Sequence, residues 1–301
     1  MEPSEIKLEN ISVAYLDGFN LTHLKPIQLY YNSTHIIKGS SIPKLINLEN
    51  FRSIIGVLQS LVYPNSNKLD LPIKKRNEIT FNFIVECKKL KYNIVTEKGI
   101  LLEERYSLES SLIYEYKTGK SLYFIEDFYS DRVKEDIINN GSFLSLLSNL
   151  GTCFPSNKYY FHNLIRYIKN IQSLYIGFDK YVKNYAYGVL DWEKYLVEQD
   201  LIPQLKAIIQ KHYTYCTVEY AYDSRNSMIY MINGLRDAYR LRDYLTRDII
   251  QDIRKLIILD ILSKNKVSLL IIDDLREGLI EGTEFCRALN KSGAQIVYPS
   301  Y

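Results

Sequence analysis

The chain has 301 residues and a mass of 35.3 kDa; 47% of its residues are hydrophobic and 24% are charged, a composition typical of folded globular proteins that excludes a disordered one. Its 38 basic and 35 acidic residues leave a net charge of +3, so charge alone does not indicate a nucleic-acid-binding protein. No apolar run is long enough to cross a membrane, and no secretory leader is recognisable, so we expect neither a membrane span nor secretion.

The cysteines indicate the cellular compartment of the protein, and the tyrosines raise the question of a binding surface. Cys87, Cys153, Cys216 and Cys286 lie far apart without CxxC spacing, so we expect reduced, buried thiols in a cytoplasmic protein. The 27 tyrosines are explained by an A- and T-rich genome or a thermophile's composition. A tyrosine surface that stacks nucleic-acid bases is the alternative.

The sequence pattern of residues 1 to 75 predicts two strands followed by a helix. Ile6–Tyr15 and Ile27–Tyr31 are rich in β-forming residues, and a polar stretch runs from Asn32 to Ser41. Apolar residues at helical spacing predict a helix over Leu45–Leu61, which ends before Pro64.

Residues 76 to 130 predict an antiparallel meander. Ile79, Phe81, Phe83 and Val85 alternate with other residues, which is typical of a strand with one buried face. Further strands follow as far as Ile125, with turn signals between them.

The spacing of apolar residues becomes helical after residue 130. Residues 131 to 235 predict a helical subdomain in which Trp192 is a packing anchor, with an alternating strand over Tyr215–Tyr222. A long helix is expected over Asp237–Leu262.

The last part of the chain predicts a strand, a helix and a strand. Val267–Ile272 is wholly apolar, as expected of a strand covered on both faces in a parallel sheet. A helix is expected over Glu277–Asn290 and a final strand over Ala294–Tyr298.

Segments from the first half of the chain resemble the ABC-class P-loop ATPases related to RecF and to the SMC head, including ATPases of bacterial defence operons. Leu24–Ser40, which reads LKPIQLYYNSTHIIKGS, is similar to that family's phosphate-loop phrase, and its ungapped register puts Lys38 at the Walker A lysine, with Ser40 next to the position of the magnesium-binding hydroxyl. Leu112–Lys120 resembles the family's strand and hairpin, and Gly141–Leu147 the helix start that follows.

The C-terminal segment resembles a Walker B strand. Ser268–Ile272 is followed by Asp273 and Asp274. The resemblance implies that Asp273 holds Mg²⁺ and that Asp274 polarises the attacking water, although the family has Glu there and Asp is shorter by about 1.5 Å. A misplacement of that size lowers a rate by about a hundredfold.

This resemblance implies an α/β fold: one head over residues 1–301, with a P-loop sheet of the ABC/SMC-head kind, an antiparallel β-meander and a helical subdomain. Its parts would be a P-loop-like lobe (1–75), the meander (76–130), the helical subdomain (131–235) and a Walker B-like lobe (236–301). Because P-loop folds gather their strand ends at one crevice, we expect Val267–Ile272 beside Ile27–Tyr31, with Asp273 and Asp274 near Lys38.

Several positions depart from the family pattern. Asn32 and Ile37 replace loop glycines, whose backbone freedom lets N–H groups surround the phosphates. Gly39 replaces the magnesium-binding hydroxyl, and Tyr301 stands where the switch histidine would be. The ABC signature is missing from Arg240–Asp248.

The expected function is therefore that of a pseudo-ATPase, a SMC/RecF-like head that acts as a dimerising or regulatory module in DNA repair, chromosome organisation or defence. One alternative is a weak but genuine ATPase that uses Lys38, Ser40, Asp273 and Asp274 in a rearranged loop. Another is a bridging subunit that binds no nucleotide. ATP and Mg²⁺ are the candidate ligands, with no cofactor established; the candidate partners are a second copy, a related ATPase head, another protein or DNA, and no membrane.

The candidate site residues also have purely structural interpretations. Lys38 would then be a solvated lysine in a polar loop. Asp273 and Asp274 would cap the next helix, because carboxylates stabilise a helix N-terminus.

Overall fold

The computed structural model forms two units and describes part of each. Unit 1 comprises Met1–Gln172, Ser268–Ile271 and Gln295–Tyr301, and unit 2 comprises Ser173–Val267 and Ile272–Ala294. The described residues are 6–17, 20–23, 27–29, 34–38, 48–62, 76–98, 100–118, 121–125, 142–144, 148, 159–176, 178, 189–222, 227–233, 237–264, 267–272, 287 and 291–300.

An eight-stranded antiparallel sheet is the largest element of unit 1. The strands up to residue 125 are β1 (Ile6–Asp17), β2 (Asn20–His23), β3 (Ile27–Gln28), β4 (Thr34–Lys38), β5 (Asn77–Val85), β6 (Lys88–Glu97), β7 (Ile100–Leu108), β8 (Ser111–Lys117) and β9 (Ser121–Phe124). The order in the sheet is β2-β1-β5-β6-β7-β8-β9, with β3 also pairing with β1. The predicted antiparallel meander is confirmed over β5 to β9, and residues 126 to 130 of the predicted segment lie outside the described residues.

The inner face of this sheet carries the core of unit 1. Ile79, Phe81, Phe83 and Val85 of β5 are all buried, as their alternation predicts. Two helices, α1 (Leu48–Ser60) and α2 (Phe161–Lys169), contribute to the same core. The predicted helix over Leu45–Leu61 is thus confirmed within the described residues.

A carboxylate lies among the aromatic residues of this core. Glu104 of β7 is fully buried, and its oxygens accept hydrogen bonds from the Tyr92 hydroxyl at 2.6 Å, the Phe143 N–H at 2.8 Å and the Tyr114 hydroxyl at 3.4 Å. Burial raises the pKa of Glu104 to about 7, although these three donors oppose the shift. The hydrogen bonds of Glu104 therefore link the backbone of Phe143 to the meander.

Unit 2 combines three helices with a small antiparallel sheet. Its described elements are the end of β10 (Ile171–Ile176), β11 (Val189–Leu190), α3 (Trp192–Glu198), α4 (Ile202–His212), β12 (Cys216–Tyr222), β13 (Ser227–Asn233), β14 (Asp237–Arg240), a 3-10 turn (Leu241–Asp243) and α5 (Arg247–Lys264). Strands β12, β13 and β14 pair in that order, and β11 is parallel to β10. Helices α3 and α4 pack against β13 and β12.

The first turn of α3 carries the packing anchor of unit 2. Asp191 caps the helix by accepting N–H groups of Glu193 and Lys194. Trp192 is fully buried and stacks on Phe178 with ring centroids 5.4 Å apart, which confirms its predicted role.

Glu193 joins three elements of unit 2. Its side chain is 1% exposed; one oxygen accepts the Ile229 N–H at 3.1 Å, and the other lies 2.7 Å from the Arg242 guanidinium. Because β14 ends at Arg240, the carboxylate takes the place of a strand partner for Ile229. Burial raises the pKa of Glu193, and this hydrogen bond and the Arg242 charge oppose that shift.

Replacing Glu193 by alanine should destabilise the protein, because the Ile229 N–H would lose its partner and the Arg242 guanidinium would lose its nearer carboxylate, with Asp191 remaining at 3.8 Å. We expect the free energy of unfolding to fall by about 2 kcal/mol. Glu198→Ala is the matched control on the same helix, since Glu198 pairs with exposed Lys194 at 3.6 Å and its replacement should cost less than about 0.5 kcal/mol. Urea unfolding of both variants measures the difference, and equal losses would contradict this role.

Some expectations from the sequence need correction. The helix predicted over Asp237–Leu262 is wrong at its start, because Asp237–Arg240 is strand β14 and α5 begins at Arg247. Cys87 is exposed at the β5–β6 turn, contrary to the expected burial, whereas Cys216 is free and buried as expected.

Two further expected strands are confirmed, whereas other expectations from the sequence stay predictions. The strands over Tyr215–Tyr222 and Val267–Ile272 are confirmed. The helix over Glu277–Asn290 lies almost wholly outside the described residues, as do Cys153 and Cys286. The division into four lobes stays a prediction, and β10, β12 and β13 lie within the segment expected to be helical.

Candidate functional site

Three parallel strands, which belong to unit 1 except for Ile272, form the candidate site. Strand β15 (Leu269–Ile272) is buried along its whole length, and β16 (Gln295–Ser300) begins with buried residues. β16 lies between β15 and β4, with Leu269 opposite Gln295 and Ile296 opposite Thr34. The all-apolar sequence of β15 fits a strand covered on both faces.

The prediction that β15 lies beside Ile27–Tyr31 is wrong. β3 pairs with β1 in the antiparallel sheet, so Ile27–Gln28 does not lie beside β15. The strand that belongs to the parallel sheet is β4, which the sequence assigned to a polar stretch, and β16 separates it from β15. Neighbouring strands are about 4.8 Å apart, so β4 and β15 are separated by about 10 Å.

The carboxyl ends of these strands lie at one edge of the sheet. Lys38 is the last residue of β4, and its backbone is opposite Ser300. Asp273 and Asp274 follow the end of β15 in the sequence, but they lie outside the described residues, as do Ser40 and Tyr301. Of the predicted site residues, the structure therefore places only the backbone of Lys38.

The departures at Asn32 and Ile37 predict a broken phosphate cradle, and the described part of this segment, Thr34–Lys38, does not form a cradle. A cradle turns several consecutive N–H groups towards one phosphate, whereas Thr34–Lys38 is an extended strand paired with β16. In addition, Lys38 ends a strand and does not lie within a loop, which corrects its interpretation as a loop lysine.

The next described element after β4 is a helix. Residues 39 to 47 lie outside the described residues, and α1 begins at Leu48. Helix α1 presents buried Phe51, Ile55 and Leu58 to the core, and the Gln59 amide donates to the Ile171 carbonyl at 3.0 Å. The chain here therefore has the order strand, connection, helix.

A buried glutamine fixes the beginning of β16. The Gln295 side chain is fully buried and bonds both backbone groups of Leu8: its Oε1 accepts the Leu8 N–H at 3.1 Å, and its Nε2 donates to the Leu8 carbonyl at 2.7 Å. The Tyr167 hydroxyl donates to the same Oε1 at 2.9 Å. Burial raises the pKa of Tyr167, so the hydroxyl stays protonated as this donor.

The beginning of β15 is held by α2. The Ser268 hydroxyl donates to the Tyr167 carbonyl at 2.6 Å, and the Ser268 N–H donates to the Asn170 carbonyl at 3.0 Å. The amino ends of β15 and β16 are thus anchored at the end of the sheet opposite Lys38.

The segment from which the ABC signature is missing, Arg240–Asp248, contains the end of a strand, a 3-10 turn and the start of a helix. Arg240 ends β14, Leu241–Asp243 forms a 3-10 turn, and α5 follows in unit 2. The Thr246 hydroxyl accepts the Ile249 N–H at 3.4 Å and caps α5.

Neither a metal site nor a membrane-spanning element is found in the described part of the chain. Its residues contain no group of three or more His, Cys, Asp or Glu side chains placed to hold a metal ion. None of its helices is long and apolar enough to cross a bilayer.

Comparison with solved structures finds likenesses over nearly the whole chain, whereas no family model and no curated protein matches. The SMC head domain from Thermotoga maritima is 9% identical, with 98% of this chain and 89% of that chain covered and a TM-score of 0.37. Two structures of the recombination mediator protein RecF are also similar. The RecF-ATP structure is 13% identical, covers 99% and 94%, and has a TM-score of 0.35. The RecF-ATPrS structure is 11% identical, covers 100% and 94%, and has a TM-score of 0.37.

All three TM-scores lie below 0.5, so the description of the fold rests on the elements of this chain itself. Those elements define a mixed α/β protein with a large antiparallel sheet, a set of parallel strands and several helices.

Proposed function

We propose that this chain is a P-loop-like head of the SMC/RecF kind that has lost ATP turnover and acts as a dimerising or regulatory module. The observation that carries the proposal is the set of parallel strands β15, β16 and β4, whose carboxyl ends share one edge. In open α/β sheets, ligands bind outside these ends. Lys38 ends one of these strands, and the sequence has two aspartates, Asp273 and Asp274, after another.

The order of β4, residues 39 to 47 and α1 also supports an ancestral phosphate site. P-loops connect a strand to a helix, and the anion lies at the helix N-terminus. This connection contains Ser40 and a second lysine, Lys44, which stands nearer than Lys38 to the start of α1. Lys44 is therefore a candidate for the phosphate-contacting lysine alongside Lys38.

Loss of turnover is proposed because neither lysine has a suitable loop before it. Ile37 precedes Lys38 and lies in β4, and Pro43 precedes Lys44. Proline has no N–H and a fixed φ, so it removes one donor from a cradle that depends on backbone N–H groups. Phosphoryl transfer depends on such positioning and on charge stabilisation.

The remaining parts of the proposal follow the resemblance. The partner would be a second copy, a related ATPase head or another protein, with DNA as a further candidate in repair, chromosome organisation or defence. Asp273 would hold Mg²⁺ if nucleotide binds, and the protein would act in the cytoplasm.

Phosphate release with ATP and Mg²⁺ tests the loss of turnover. We expect the wild type to release no more phosphate than Lys38→Ala, Lys44→Ala and Asp273→Ala, because positioning elements are missing before both candidate lysines. Release by the wild type that Asp273→Ala abolishes would contradict the proposal and establish the weak ATPase. Loss of that release in only one lysine variant would also identify the lysine that contacts phosphate.

A calorimetric titration with ATP and Mg²⁺ separates the remaining alternatives. Binding that is weakened by Lys44→Ala or Lys38→Ala, but not by the control Lys91→Ala on β6, supports a nucleotide-responsive head. No heat of binding in the wild type would favour a bridging subunit that has lost its nucleotide site.

A further inference from the structure

The three-stranded sheet of unit 2 has one face that is covered at its centre, although Tyr220 and Tyr239 on this face remain exposed, and one outer face, whose apolar side chains on β13 are half-buried. Val218, Ile229 and Met231 are buried on the covered face. The outer face, defined by the alternating residues, consists of Thr217, Glu219, Ala221, Met228, Tyr230, Ile232, Ala238 and Arg240. The Tyr230 hydroxyl donates to the Met228 sulfur at 3.3 Å, as expected for two side chains on one face.

The outer face has an apolar centre between opposite charges. Met228, Tyr230 and Ile232 run along the central strand β13. The register places Glu219 of β12 and Arg240 of β14 on either side of Tyr230 in one row. Strand spacing puts the two charged residues about 10 Å apart across the sheet.

We propose that this outer face binds the outer face of a second copy of the chain, about a two-fold axis parallel to β13. Such an axis places β12 of each copy over β14 of the other. Glu219 of each copy would then face Arg240 of the other, and the apolar residues of the two β13 strands would meet at the centre. The face is thus complementary to itself in charge, as a two-fold interface requires.

Arg240 can take part in this contact. Its side chain is 41% exposed, and its guanidinium lies 3.8 Å from Glu193, which Arg242 already approaches at 2.7 Å. Glu219 is exposed as well. Both charges are therefore accessible to a partner.

The contact would be weak and dependent on concentration. Three short strands offer an area at the small end of specific interfaces, so paired charges contribute mainly orientation and partner choice. The inference supplies a surface for the dimerisation in the proposed function, but the contact does not require nucleotide.

Sedimentation equilibrium over a micromolar concentration series tests the contact. We expect wild-type protein to dimerise reversibly, and we expect Glu219→Arg and Arg240→Glu each to raise the dissociation constant roughly tenfold or more. The double variant, with both charges exchanged, should return to within about threefold of the wild type. Glu97→Arg, a charge reversal at an exposed position on β6 in unit 1, should change nothing.

The variants also separate folding from association. Arg240→Glu places a carboxylate near Glu193, so thermal unfolding is recorded for each variant. If this variant unfolds, Ala238→Arg at an exposed position of the same face replaces it and should also raise the dissociation constant roughly tenfold or more. A wild type that stays monomeric, or a dimer unaffected by Glu219→Arg, overturns the proposal. The ATP titration is repeated on Glu219→Arg, because unchanged nucleotide behaviour would show that the two proposals stand or fall separately.

Discussion

Gln295→Leu should lower the free energy of unfolding by about 4 kcal/mol. The substitution keeps roughly the size of the side chain but removes all three hydrogen bonds of a fully buried amide. The Leu8 N–H, the Leu8 carbonyl and the Tyr167 hydroxyl would remain buried without this partner, and each such group costs about 1 to 3 kcal/mol. Urea unfolding followed by circular dichroism measures the loss.

Two further variants show whether the cost comes from the unpaired groups. Gln59→Leu is the matched control in unit 1, because the Gln59 amide makes one bond, to the Ile171 carbonyl, and should cost about 1 kcal/mol. Tyr167→Phe removes the orphaned hydroxyl, so combining it with Gln295→Leu should recover about 1 kcal/mol relative to Gln295→Leu alone. Strictly additive losses would contradict a shared hydrogen-bond network.

Much of the fold could be predicted from periodicity. Alternation located β5, and helical spacing located α1, because each pattern reflects burial of one face. The strand β15 was also predictable, since only apolar residues suit a strand buried on both faces.

The strand from the first 40 residues that joins the parallel sheet beside β16 could not be predicted, because two short runs compete for that place. Ile27–Tyr31 has stronger β-forming residues, whereas Thr34–Lys38 begins within a polar stretch. The choice between them depends on pairing with distant β16, which local propensity does not record. The start of α5 was missed for a similar reason, since β14 forms only by pairing with β13.

The polar residues that organise the cores were also missed. Glu104, Glu193 and Gln295 are polar side chains in ordinary sequence surroundings, and their partners are distant in the chain. Only the folded arrangement identifies them. The sequence predicts that the candidate site lies at the ends of parallel strands and includes Lys38. The position of Lys38 at the end of a strand could not be predicted, because it depends on locating β4.

The buried carboxyl of Glu104 should make stability depend on pH. Its pKa is about 7 in the folded protein, against an ordinary value of 4.5, and burial is the main cause. Below 4.5 the carboxyl is protonated in both states. As the pH rises from 4.5 to 7, the unfolded chain loses this proton while the folded protein keeps it, so the free energy of unfolding falls by about 3 kcal/mol and then levels off.

Glu104→Gln should remove this contribution. The amide can accept the Phe143 N–H through its oxygen and donate to the Tyr92 hydroxyl through its nitrogen, so the variant should fold at both pH values. Relative to the wild type, the variant should gain about 2.5 kcal/mol between about pH 5 and about pH 8 in urea unfolding, since part of the contribution is already lost at pH 5.

Glu103→Gln provides the control for the Glu104 experiment. Glu103 is the preceding residue on the same strand but pairs with Arg76 and Arg105 at 3.2 Å on the outer side of the sheet. Its replacement should leave the pH dependence of the wild type in place. If the difference between wild type and Glu104→Gln were the same at both pH values, Glu104 would not be the group that titrates, and the three hydrogen bonds would be holding its carboxylate ionised throughout.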